Sequence, residues 1–233
     1  LADFKPLHID AKLLHSLGVD YPILDEVNRE LIAGSQWYKT LIDNKALTPG
    51  KEYEEMITDE NEELEIHNYT GICPTNVLEV SPSGGSCAVG CQYSLVTDGK
   101  HVKGIQVYAN YPKKLENSLE RNKDKALYYY FSPKTEAFSE PHLFNGLAHD
   151  ILRTFISHYE KHPDSQARIF IATKGGTQHL GVKHKGETLF DLLAQMPTKV
   201  QVNGSIGIMS SYLRDILEPN AASIAERLET LKI

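Results

Sequence analysis

Leu127-Tyr128-Tyr129-Tyr130-Phe131, a helical period at Leu147, Ile151, Leu152 and Phe155, and then Arg168-Ile169-Phe170-Ile171-Ala172 together decide the fold class. The first run is aromatic and bounded by Lys125 and Pro133, which favours a pleated strand. The second places its apolar residues on one helix face. The third is a short, almost continuous apolar run, the pattern of a strand covered on both faces. Strand, helix and strand in that order make a crossover unit of a parallel sheet.

The same alternation extends in both directions. Asn76-Val77-Leu78-Glu79-Val80 reads as a strand ending in the turn-rich Ser81-Pro82-Ser83-Gly84-Gly85, and Gly104 to Tyr108 reads as another. Leu115 to Asp124 reads as a short polar helix and Thr188 to Met196 as a further helix. Lys199 to Val202 starts a strand directed toward Ile208, and Ala221 to Leu231 is the last helix, with Pro219 before it. The expected class is α/β with a largely parallel sheet. Residues 73–233 number 161, whereas a closed eight-stranded barrel takes roughly 200 or more. The expectation is therefore a partial (β/α) barrel of TIM-like type, or a chain incomplete at its C-terminal end.

Residues 1–72 read as a separate, helical extension. Ile23, Val27, Leu31 and Ile32 recur at helical spacing, and Trp37, Leu41 and Ile42 mark a second short helix. Charge separates this part from the rest: residues 1–72 hold 15 acidic and 6 basic side chains, residues 73–233 hold 16 and 18. Eight of the acids lie between Glu52 and Glu65, which predicts a solvated, protease-sensitive linker on the outside of the barrel, away from the strand C-terminal ends. No run of 18 apolar residues is present, so no transmembrane helix is expected. Leu1-Ala2-Asp3-Phe4-Lys5 has no basic stretch leading into an apolar core, and the expected location is the cytoplasm.

Gly84-Gly85-Ser86-Cys87-Ala88-Val89-Gly90-Cys91-Gln92-Tyr93-Ser94 carries the chemistry. Two cysteines in a Gly-rich loop after a strand can wrap a compact cofactor, because glycine lets the backbone approach closely. Thiolates suit iron–sulfur clusters or zinc. Spacing alone leaves open two reduced cysteines without metal, and a zinc site made with Cys73. There is no H-E-x-x-H, P-loop or G-x-G-x-x-G pattern in the chain. His179 and His184, in the loop from Gly175 to Gly186, read as part of a solvated basic loop, with a substrate lid as the alternative.

Cys87-x-x-x-Cys91-x-x-Ser94 resembles the C-x-x-x-C-x-x-C signature of the radical SAM superfamily, with serine at the third position. The segments that follow resemble its spore-photoproduct-lyase-like branch, in order: Ile105 to Pro112, Ser132 to Phe138, Thr173-Lys174, and Leu217-Glu218-Pro219 through Arg227-Leu228. The likeness covers roughly residues 76–233. It implies an enzyme holding a four-iron four-sulfur (4Fe-4S) cluster that reductively cleaves S-adenosylmethionine. The resulting 5′-deoxyadenosyl radical abstracts a substrate hydrogen, and a flavodoxin or ferredoxin supplies the electron.

Carried onto this chain, the resemblance makes Cys87, Cys91 and Ser94 the metal positions. It makes Ser132, Thr135, Glu136, Lys174 and Ser205 the S-adenosylmethionine contacts: Thr135 and Glu136 near its amino group, Lys174 on its carboxylate, Ser205 on ribose or carboxylate. Glu218 reads as a helix cap. The family's hydrogen-donating cysteine near the second strand is missing; that region is Tyr130-Phe131-Ser132, which makes Tyr130 the candidate donor. The substrate stays open among a small molecule, a peptide and a nucleic acid. Serine ligates iron poorly because ligands bind deprotonated. Three explanations of Ser94 follow: an inactivating substitution, a cluster on two cysteines and an oxygen, or Cys73 as third thiolate. The rival function is a catalytically inactive relative acting as a binding or scaffold protein.

Overall fold

The structure is a computed structural model that describes residues 54–67, 76–85, 87–91 and 105–231. The helices expected within residues 1–50, together with Cys73 and Ser94, lie outside them. The elements in chain order are β1 (Glu54–Met56), β2 (Val77–Val80), β3 (Ser83–Gly85), β4 (Ile105–Tyr108), α1 (Tyr111–Arg121), β5 (Tyr128–Phe131), α2 (Glu140–Phe144), α3 (Leu147–Lys161), β6 (Arg168–Thr173), α4 (Thr177–Leu180), β7 (Lys183–His184), β8 (Glu187–Thr188), α5 (Leu189–Ala194), β9 (Val200–Gly204), α6 (Ser211–Leu217) and α7 (Ile224–Thr230).

Four strands form a parallel sheet in the order β2-β5-β6-β9, each neighbour being the next in the chain among these four. Successive parallel neighbours need crossovers, and α1, α2–α3 and α4–α5 supply them. Period-2 alternation splits the sheet into two faces. Tyr129, Phe131, Ile169 and Ile171 are buried in one core with Leu115, Leu119, Ile151, Leu152, Phe155, Leu189 and Leu192 of the helices. Tyr128, Tyr130, Arg168, Phe170 and Gln201 line a cavity of about 470 Å³ on the other face, with His67 at its side. This is a parallel α/β sheet of four consecutive strand–helix units.

Local signals account for the helix boundaries. Pro112 starts α1, and Asn122 stops it by donating from Nδ2 to the Ser118 carbonyl at 2.8 Å. Helix α1 thus runs four residues earlier than expected. The single helix read from Leu143 to Tyr159 is two, broken at Gly146 (φ 77°); a Cβ there would meet the His184 ring at 2.3 Å. Thr188/Asp191 and Ser223/Glu226 are reciprocal capping boxes that start α5 and α7. Because Ser223 and Glu226 cap α7, Glu218 is not its cap. Helix α6, which the periodicity missed, is capped by Ser210, whose hydroxyl accepts from Leu213 N–H.

The acidic segment is largely solvent-exposed, as expected, but it is tied to the sheets rather than being a free linker. β1 pairs in parallel with β4, which also pairs with β3 in a second, three-stranded sheet. Asn110 grips the following turn, accepting from Thr58 N–H at 3.0 Å and donating to the Thr58 carbonyl at 2.9 Å. Leu64 is in the core. Ile66 bridges antiparallel to Leu78, and His67 N–H and Glu79 N–H complete a short ladder on the outer edge of β2. Distant cations pair with two of its acids: Lys114 Nζ lies 2.5 Å from Glu62, and Lys134 Nζ lies 2.7 Å from both Glu65 and Glu79 of β2. Lys114 is buried and needs an anion, and the β2 edge needs backbone partners, so ordering this segment satisfies both. Lys134 follows β5, so Glu65 stands at the strand C-terminal ends rather than away from them.

Candidate functional site

In an open parallel sheet, side chains for chemistry collect where strands end at their carboxyl side. Here that end carries the cysteine loop after β2, Ser132 after β5, Lys174 after β6 and Ser205 after β9.

The cysteine loop reverses tightly. Gly90 N–H bonds to the Cys87 carbonyl at 3.2 Å, and Gly90 itself has φ 65°, which disfavours a side chain. Cys87 is half-buried and Cys91 buried, and both pack with Val89 and Ala221 in a small apolar cluster. Backbone hydrogen bonds from Val89 and Glu136 favour the Cys87 thiolate. Burial outweighs them, and with the negative charge of Glu136 and Cys91 nearby it pushes the thiol up to about 12. Without a bound cation Cys87 is therefore a protonated thiol at neutral pH, and a metal must displace that proton to be held.

Ser132 stands at φ 53° immediately after β5, a left-handed conformation uncommon for a residue with a side chain. Its hydroxyl is buried and finds no hydrogen-bond partner among the described residues. A buried, unsatisfied hydroxyl on a strained residue at a strand end is a natural ligand contact. Lys174 and Ser205, expected to act on one ligand, are brought together: Lys174 Nζ donates to Ser205 Oγ at 3.1 Å. Glu218 Oε1 lies 3.9 Å from the same ammonium group.

Thr135 and Glu136 have other partners than expected. Thr135 Oγ1 sits 3.1 Å from Ser83 Oγ, tying the β5 turn to β3. The Glu136 carboxylate accepts from Thr173 Oγ1, from Phe138 N–H at 3.2 Å and from Lys174 N–H at 2.8 Å. It therefore fixes the end of β6 and the backbone of Lys174, and most of its accepting capacity is taken up by the protein. Tyr130 lies on the open face of the sheet, edge-on to Phe170 with ring centres 4.7 Å apart and to His67 at 5.1 Å. There it lines the cavity with Tyr128 and Arg168. The 175–186 segment is not a solvated loop. It holds α4 and the β7–β8 hairpin, with Gln178, His179, Leu180 and Val182 buried. Gly176 N–H donates to His179 Nδ1 at 3.1 Å, which leaves Nε2 to face Glu140 at 3.5 Å.

Sequence reasoning marked the 217–228 segment but missed that it joins these parts. Residues 218–222 cross from α6 over the cysteine loop. Asn220 Nδ2 donates to the Ala88 carbonyl at 2.8 Å and Asn220 N–H to the Val89 carbonyl at 3.3 Å. Ala222 N–H bonds to the Lys174 carbonyl at 3.0 Å. Arg227, fully buried, lies 2.8 Å from the equally buried Glu218 and donates to the Ala222 and Ser205 carbonyls, each at 2.7 Å. Arg214 donates to the Ala221 carbonyl at 3.0 Å. Nothing in the sequence marks Arg227 and Glu218 apart from neighbouring charges such as Asp215, Glu226 and Glu229, and charged residues are normally read as solvated.

Soft sulfur donors at two positions match an iron–sulfur ligand set in kind. No group of three or more His, Cys, Asp or Glu side chains able to hold a metal occurs among the described residues, and the third position of the frame is serine. No helix among the described residues is long and apolar enough to cross a membrane. No protein-family model matches this chain, and comparison with curated proteins and with solved structures gives no match either.

Proposed function

We propose that the chain is built as a radical SAM enzyme of the spore-photoproduct-lyase-like type, on a partial barrel. The observation that carries the reading is the grouping at one sheet end of the Cys87–Cys91 loop, the unsatisfied Ser132 hydroxyl and the Lys174–Ser205 pair. Cys87 and Cys91 would hold the cluster, with position 94 as its third contact. When bound, the cluster and S-adenosylmethionine supply one-electron cleavage and a carbon-centred radical.

The chain's own residues position and shield. Lys174 offers a cation to a carboxylate, and its bond to Ser205 aims it. Ser132 offers a buried hydroxyl to the same ligand. Glu136 holds the Lys174 backbone in place. The apolar packing of Cys87, Val89, Cys91 and Ala221 keeps water from the sulfurs. An inactive binding or scaffold protein is the second reading, and Ser94, a poor iron ligand, favours it.

Anaerobic reconstitution with iron and sulfide separates the two. Under the first reading Ser94→Cys binds more iron than the parent and gains the visible thiolate-to-iron absorbance. If Ser94→Cys holds no more iron than the parent, the C-x-x-x-C frame is not a cluster site and the binding-protein reading takes its place.

A further inference from the structure

A turn bond, Gly90 N–H to the Cys87 carbonyl, closes the cysteine loop, and the Val89 backbone also bonds to the Cys87 sulfur. Two further carbonyls, at Ala88 and Val89, face a segment some 130 residues away in sequence, and both accept from Asn220. The Asn220 amide group is buried, and its Nδ2 bond is the shorter of the two. A Cβ added at Gly90 would lie 3.5 Å from Asn220 Nδ2 and 3.8 Å from Pro219 Cγ, so a side chain there would reach the segment.

The same segment is anchored from below. Arg227 and Arg214 hold the carbonyls of Ala222 and Ala221, and Ala222 N–H holds the carbonyl of Lys174. The 218–222 strap therefore spans from the cysteine loop to the lysine at the end of β6. Its ends are fixed by buried charge, and its middle is an asparagine that donates to two carbonyls of the loop backbone.

We infer that Asn220 is a positioning residue for Cys87 and Cys91, and that the strap sets the spacing between the cysteine loop and the Lys174–Ser205 pair. The inference rests on the ligand-loop reading for its purpose, but its test does not need a cluster. With the Asn220 side chain removed, the Ala88 carbonyl loses its donor in a dry setting. The loop then opens more often than the sheet beneath it.

The test uses the full metal-free chain as parent, Asn220→Ala and Asn220→Asp; the aspartate keeps the shape and lacks the donor. Iodoacetamide modification is followed at Cys87 and Cys91 by tandem mass spectrometry, with hydrogen exchange measured in parallel. Both thiols are expected to react about tenfold faster or more in the variants. Protection should fall in residues 87–91 and stay unchanged in residues 168–173. Folded variants with parental alkylation rates would overturn the inference. So would equal loss of protection in both stretches, which would make Asn220 a general stability residue. Failure of Ser94→Cys to gain iron would remove the cluster reading and leave this result standing, so the two outcomes are separable.

Discussion

Replacing Glu218 by Gln is the most informative stability test, because it removes one charge from a pair that has no solvent. Both side chains have 0% exposure, and the charged groups are 2.8 Å apart. In Glu218→Gln the Arg227 guanidinium keeps the carbonyls of Ser205 and Ala222 and loses its anion. Leaving one buried charge uncompensated costs about 3–5 kcal/mol. Domains have about 5–15 kcal/mol in total, so about a fifth of the stability or more is at stake. With a urea slope of about 2 kcal/mol per molar, the midpoint drops by about 1.5–2.5 M. The double variant Glu218→Met/Arg227→Met removes both charges and fills the space, and it should be more stable than Glu218→Gln. Urea unfolding followed by circular dichroism measures all three proteins. A loss under about 1 kcal/mol in Glu218→Gln, or a double variant no better than the single, would refute the pairing argument.

Two further outcomes follow from the core. Burial holds both His142 and His149 down to about 4, against about 6.5 in an unfolded chain. As the pH falls from about 6.5 to 4 the unfolded chain takes up these protons first. Stability is then complete above that window and lost within it, by up to about 3 kcal/mol for each histidine. Urea midpoints at pH 7, 5.5 and 4.5 check this, and a flat profile across the window would contradict it. Gly176→Ala places a Cβ 2.8 Å from Glu226 Cβ and 2.9 Å from Ala222 Cβ, costing about 1–3 kcal/mol, whereas Gly207→Ala meets nothing within 4 Å and should melt like the parent.

What could be read from the sequence was whatever depended on neighbours in the chain. Val77–Val80, Tyr128–Phe131 and Arg168–Thr173 are short apolar runs between turn residues, and they form strands where expected. Lys174 and Ser205 each end a strand, so sharing a parallel sheet end brings them together. What stayed hidden depended on distant countercharges. Glu62 and Glu65 are solvated, as they look, but their partners Lys114 and Lys134 come from 52 and 69 residues away. Glu218 looks like a cap until Arg227 folds back onto it. Asn220 carries no periodicity at all, since its partners are loop carbonyls. Residue type alone also could not tell that Glu136 would have its carboxylate taken up by Thr173 and the Lys174 backbone.

Among the described residues the parallel sheet is finished on one side only. Residues 64–67 cover β2, but β9 ends the strand order with no described strand beyond it. Val200-Gln201-Val202-Asn203-Gly204 carries neither charge nor proline. Backbone donors and acceptors along such a rim are a template for any extended chain that reaches it. Edge-to-edge stacking between molecules is then the expected failure at high concentration, and a lysine at Gln201 or Asn203, both exposed, is the substitution that would keep the protein in solution.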